Sequence, residues 1–192
     1  MFNKKNLTIP NLLSGYRLFA FPVILYFLLK KQEDVFVILL IINLITDILD
    51  GFLARLLHQQ TELGARLDSI ADDGTYLLAI GGIFIFKYSD FEPHLFSFGV
   101  FIFLFLAANS LAILKFHRLP SLHLYSWKIG GYLQGFFFFT LFVFGFWPML
   151  YYFVIGWGIL AFLEHIVIQL IIKEMKSNAK GIYWILKEKN GK

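Results

Sequence analysis

The chain has no cysteine, so it can have neither a disulfide framework nor a thiolate metal site. It is also short of charge. Asp, Glu, Lys and Arg make up 16% of the residues, against about 25% in a soluble domain. The period-two alternation of barrel strands is missing, and no histidine spacing suits a metal. There is no convincing repeat, no long linker and no composition break, so a single domain over residues 1–192 is expected. The first apolar run lacks a small-residue cleavage site and others follow it, which argues against a removable signal peptide. What the chain does have is apolar surface. It is 58% hydrophobic, holds 24 Phe and has a mean hydropathy of +0.69. The solvent this implies is a bilayer.

Six apolar runs carry that surface: 12–29, 35–57, 67–86, 95–114, 127–146 and 149–172. Each approaches the ~20 residues a helix needs to cross the hydrocarbon core. Helices or closed barrels alone satisfy the backbone there, so the expected fold is all-α with six transmembrane helices. The fifth-to-sixth connection is tight, at Trp147-Pro148. An even helix count puts both termini on one side. That side receives fourteen of the 17 Lys and Arg, Arg17 among them; Lys30, Lys31 and Lys87 fall on the other. The positive-inside rule makes the richer side cytoplasmic. The expected protein is therefore a multi-pass inner or cell membrane protein with both termini, and its polar site, in the cytoplasm.

That site is the stretch from Asp47 to Asp73. Asp47 and Asp50 are three apart on a helix and share a face, with Asn43 one turn before and Ala54 one turn after. Asp68 and Asp72 are four apart and share a face of the next helix. A short link at 59–63 would fold the two acidic faces together. Gly51, Ala54 and Gly64 are small, which lets helix backbones approach and leaves room for a bulky ligand. Four carboxylates at the ends of apolar helices need a compensating charge. An all-oxygen donor set suits magnesium, manganese or calcium, and magnesium commonly combines one or two carboxylates with substrate phosphates. Two divalent cations would balance Asp47, Asp50, Asp68 and Asp72, leaving Arg55 to hold a phosphate with its planar fork. Intramembrane acids also serve ion pathways, so a divalent-cation transporter is the alternative from a different class.

Asp47-x-x-Asp50-Gly51-x-x-Ala54-Arg55, eight residues, then Gly64-x-x-x-Asp68-x-x-x-Asp72 resembles the full signature of the CDP-alcohol phosphatidyltransferases. The resemblance implies transfer of a substituted phosphate from a CDP-linked lipid, CDP-diacylglycerol, to an alcohol, with release of CMP. It implies Asp47, Asp50 and Asp68 as ligands of two divalent cations, magnesium or manganese. It implies Asp50, Gly51, Ala54, Arg55 and Gly64 around the CDP moiety. Asp72 would be the general base, and a metal ligand as well. The resemblance also implies a homodimer. The bilayer and lipid substrates are the expected partners, and nucleic acid is not one.

Less of the chain bears on the acceptor. Ile9-Pro10-Asn11-Leu12-Leu13-Ser14-x-x-Arg17 resembles the opening of phosphatidylglycerophosphate synthases and the related cardiolipin synthases. That favours glycerol 3-phosphate, with phosphatidylglycerol, inositol or another polyol as alternatives. Those synthases usually carry Lys after the last signature Asp. Here the residue is Asp73, about 100° around the helix from Asp72. Arg66, Arg118 and Lys128 are the cationic candidates for an acceptor phosphate, Lys128 foremost because it opens a helix. Residues 1–9 are expected to lie at the interface or to form a plain tail. Glu164 and His165 are expected to hydrogen-bond between helices. The basic tail 173–192 is expected to be a frayed helix end or to rest on anionic lipid.

Overall fold

A computed structural model describes residues 8–59, 61–117, 124–172, 174 and 179–190, the last three of these by backbone alone. The described residues contain helices and no strand. The helices are α1 (Ile9–Leu29), α2 (Glu33–Leu56), α3 (Glu62–Phe86), α4 (Leu95–Phe116), α5 (Tyr125–Phe144), α6 (Pro148–Ile171) and α7 (Ile182–Asn190). A helical turn, Tyr88–Phe91, and a 3-10 turn, Glu92–His94, join α3 to α4. The first six helices run 20 to 25 residues. At 1.5 Å per residue each covers roughly 30 Å, enough to cross a bilayer. All six are apolar enough to do so, and the protein is an integral, multi-pass membrane protein.

Helix ends depart from the apolar runs where side chains cap them. The α1 helix begins at Ile9, ahead of its apolar run, because the Thr8 hydroxyl accepts from Asn11 N–H and Pro10 suits the first turn. The α3 helix begins at Glu62, ahead of Leu67, because the Thr61 hydroxyl accepts from Gly64 N–H at 2.9 Å. Glu62 in that first turn also complements the helix dipole. The link between α2 and α3 is therefore 57–61, shifted towards α2 from the expected 59–63. The α5 helix starts and stops two residues early; Gly145, at φ +92°, ends it.

Residues 1–91 form one compact unit and 92–192 another. In the first, α1 packs along both α2 and α3. Its core is Ile24 and Leu28 of α1, Phe36 and Leu40 of α2, and Ala71, Leu78, Ala79 and Ile83 of α3. Small residues set the approach of α1 to α3. A Cβ on Gly74 would lie 3.0 Å from the Phe21 ring, and one on Gly81 2.9 Å from Leu28 Cδ2. Such close contact is what drives helix association in lipid, where burial of apolar surface gives no advantage.

In the second unit α6 packs against α4, α5 and α7. The rings of Phe101, Phe105 and Trp127 meet Phe162 edge-on. The chain after α6 is not a frayed continuation of it. It is a separate helix whose Ile185 is buried with Leu124, Ile168, Ile172 and Ala179. Ile182 N–H donates to Glu164 Oε1 at 3.0 Å, which ties the start of α7 to α6. Residues 1–7, and 173, 175–178, 191 and 192 of the tail, lie outside the described residues.

Candidate active site

The turn between α2 and α3 sends the two helices back alongside each other, so the last turns of one meet the first turns of the other. Asp47 and Asp50 come from α2, Asp68 and Asp72 from α3. One turn further from the link, Asn43 Nδ2 donates to Thr75 Oγ1 at 2.9 Å and fixes the register of the pair. At the opposite end of the same pair, Lys87 and Glu33 form an ion pair of 2.7 Å.

The compensating charge comes from α1. Arg17 sits among all four carboxylates. Its Nη1 donates to Asp47 Oδ1 at 2.6 Å and to Asp72 Oδ1 at 2.7 Å. Its Nη2 donates to Asp50 Oδ2 at 2.8 Å and to Asp68 Oδ1 at 2.5 Å. The Arg17 side chain is 0% exposed and that of Asp50 4%, whereas Asp47, Asp68 and Asp72 are 37–40% exposed. The cluster is thus buried on its α1 side and open on the other. With the acids ionised, one guanidinium leaves it at net −3.

Asp47, Asp50 and Asp68 each offer an oxygen within 4.8 Å of the others. A divalent cation fits such a set: the donors are all oxygen, they come from two rigid helices, and the charge deficit is large. Asp50 is further held by Ser14 Oγ, which donates to its Oδ2 at 2.9 Å.

Beside the carboxylates lies a pocket lined by Asp50, Gly51, Ala54, Arg55 and Gly64, together with Asn11, Ser14 and Thr61. All five residues expected around a CDP moiety therefore line one pocket. The Arg55 guanidinium folds over Gly51, where a Cβ would lie 3.7 Å from its Nη1. Gly64 is required by packing. A Cβ there would collide with Asn11 Oδ1 and lie 2.9 Å from Thr61 Oγ1. Asn11 and Thr61 are themselves hydrogen-bonded, Nδ2 to Oγ1 at 3.1 Å, so neither can move aside freely.

Arg66 is exposed on α3. Lys128 is exposed in the first turn of α5, its ammonium 5.7 Å from the Tyr125 ring centroid. Arg118 lies outside the described residues. Asp73 is exposed and is not a partner of Arg17. Glu164 does bond between helices, accepting from Ser126 Oγ at 2.5 Å as well as from Ile182. His165 does not. Neither ring nitrogen has a hydrogen-bond partner among the described residues, and the ring instead meets Trp127 edge-on at 4.6 Å.

Asn11, Ser14 and Arg17 entered the sequence reading only as part of the α1 opening that bears on the acceptor, not as partners of the carboxylates or of the pocket. A signal existed. They recur every three residues along an otherwise apolar helix, so they lie on one face, and an unpaired Arg in such a helix demands partners.

The family model for CDP-alcohol phosphatidyltransferases matches residues 7–168, across both units. A CDP-diacylglycerol–glycerol-3-phosphate 3-phosphatidyltransferase of Aquifex aeolicus is 33% identical over 135 residues, 56% of this chain and 75% of the relative. One of the same name from Cereibacter sphaeroides is 38% identical over 94 residues, 47% of this chain and 42% of the relative. A CMP-forming cardiolipin synthase of Rattus norvegicus is 42% identical over 66 residues, 34% of this chain and 22% of the relative. The chain thus spans three quarters of the first relative and less than half of the other two. No solved structure matches it significantly. The matched length, the intact signature and the convergence of its four aspartates lead to one conclusion: the chain belongs to the CDP-alcohol phosphatidyltransferase family.

Proposed function

We propose that this enzyme transfers the phosphatidyl group of CDP-diacylglycerol to glycerol 3-phosphate and releases CMP. The observation that carries the proposal is the meeting of Asp47, Asp50, Asp68 and Asp72 from two helices beside a pocket lined by the remaining signature residues. The choice of acceptor is supported by the α1 opening and by the names of the Aquifex and Cereibacter relatives. The rat relative supports a second reading, in which the acceptor is phosphatidylglycerol.

In this proposal Asp47, Asp50, Asp68 and Asp72 would hold two divalent cations, magnesium or manganese. When bound, the ions would neutralise the diphosphate and the charge that develops on departing CMP. Asp50, Gly51, Ala54, Arg55 and Gly64 receive the CDP moiety, with Arg55 forking onto a phosphate. Asp72 accepts the proton of the acceptor hydroxyl as its oxygen attacks the lipid-side phosphorus. A new P–O bond forms to the acceptor, and the bond to the CMP oxygen breaks. Asp72 suits that task because its carboxylate is partly open while one oxygen is held by Arg17. Lys128 is the foremost candidate for the acceptor phosphate, with Arg66 and Arg118 behind it.

The orientation belongs to the same proposal. Without Arg17, now known to be buried, thirteen basic residues still lie on the site's side against three opposite. That favours cytoplasmic termini and a cytoplasmic site. A homodimer and a single catalytic domain complete the reading.

The test is CMP release from CDP-diacylglycerol by the purified chain with magnesium and a panel of acceptors. Glycerol 3-phosphate should give the highest kcat/KM. Preference for phosphatidylglycerol or a polyol would reassign the acceptor. No CMP with any acceptor, together with metal flux into liposomes, would favour the transporter.

A further inference from the structure

We propose that Arg17 is a positioning residue: a resident counter-cation that clamps α2 to α3 so that the carboxylates stand ready for divalent ions. The inference rests on the reading that the cluster binds such ions. The evidence for it is the pattern of contacts. Each terminal nitrogen of Arg17 holds one carboxylate from each helix. Nη1 joins Asp47 of α2 to Asp72 of α3, and Nη2 joins Asp50 of α2 to Asp68 of α3. The two crosslinks are side by side in one rigid plane, so they fix both the separation and the rotation of the pair. Nε has no partner among the described residues, so the guanidinium is held by these four contacts alone. A lysine could not do this, because its ammonium is a single point charge.

Charge leads to the same role. Four carboxylates brought together repel one another strongly in a partly desolvated site. Arg17 offsets part of that repulsion at full burial, from a helix that contributes none of the acids. With two divalent ions the cluster would total +1, where the acids and ions alone total zero. The surplus favours an incoming diphosphate.

Thermal unfolding of the full chain in detergent, in EDTA and in saturating MgCl2, tests this. Wild type should gain a few degrees from MgCl2. Arg17→Gln should melt roughly 10 °C lower in EDTA, and MgCl2 should restore more than half of that loss. Removing a repelling acid as well, in Arg17→Gln/Asp47→Asn, should raise the EDTA melting point above that of Arg17→Gln. If Arg17 only fills space, Arg17→Gln will lose the same amount with and without MgCl2, and the second substitution will recover nothing; that result overturns the inference. Should Arg17→Gln fail to fold, Arg17→Lys decides. Its one nitrogen keeps a single crosslink, so Mn2+ affinity should fall about tenfold, and an unchanged affinity counts against the clamp. A wild-type protein indifferent to MgCl2 would instead remove the ion reading itself, and the inference with it.

Discussion

The two units hold their helices together with a different balance of contacts. In residues 1–91 the contacts that fix register are polar: Arg17 with four carboxylates, Ser14 with Asp50, Asn11 with Thr61, and Asn43 with Thr75. All of the chain's aspartates lie there. In residues 92–192 there is no aspartate, fifteen of the 24 phenylalanines are found, and rings meet rings. Phe162 packs with Phe101, Phe105 and Trp127, and Tyr151 with His94, Phe137 and Phe146. In a bilayer aromatic packing costs no desolvation of charge, whereas a buried ion cluster does. The unit that carries the larger cost, with four carboxylates around one buried guanidinium, is the one to which the proposed chemistry is assigned.

The sharpest way to break this contrast is one carboxylate in each unit. Asp72→Asn should lower turnover by about 10³-fold, the range expected for loss of a general base, while CDP-diacylglycerol binding stays measurable. Glu164→Gln keeps one acceptor oxygen for two donors, Ser126 and Ile182. It should cost about 1–2 kcal/mol of stability and leave kcat within twofold. A fully active Asp72→Asn enzyme removes the base assignment, and an inactive but stable Glu164→Gln places chemistry where the contrast denies it.

A pair of glycines sharpens the same contrast. Gly64→Ala drives a Cβ into Asn11 and Thr61, and Gly158→Ala drives one into the Phe101 ring. Each should destabilise by about 1–3 kcal/mol through overpacking. Only Gly64→Ala should also raise KM for CDP-diacylglycerol, since Gly64 lines the pocket. Equal KM values for the two variants would contradict that assignment. The smallest effect is expected from Ser14→Ala, which removes one hydrogen bond to Asp50. Stability should fall by about 1 kcal/mol, and half-saturating magnesium should rise severalfold. An unchanged magnesium requirement would mean that Ser14 does not orient Asp50.

Most of the fold could be read from the chain because lipid imposes a single length on apolar helices. The six expected helices are there, and the largest shifts of their ends, at Ile9 and Glu62, come where Thr8 and Thr61 cap the backbone locally. The convergence of Asp47, Asp50, Asp68 and Asp72 was legible from helical spacing within one hairpin. Arg17 was not. It is 30 residues from Asp47 and 55 from Asp72, and spacing along one helix says nothing about the rotation of another. It stood in the sequence as one basic residue of one side and as the last residue of the α1 opening, and neither places it among the carboxylates. The docked α7 escaped notice for a related reason: its buried face depends on Leu124, Ile168 and Ile172, which are distant in sequence.

Divalent-ion binding to the carboxylates can be measured without turnover, by titrating the purified chain with Mn2+ and following the free ion by electron paramagnetic resonance. With CDP-diacylglycerol present, wild type should bind two ions per chain and Asp47→Asn/Asp68→Asn should bind none with comparable affinity. Identical titrations of the two proteins would show that the four aspartates do not hold the ions.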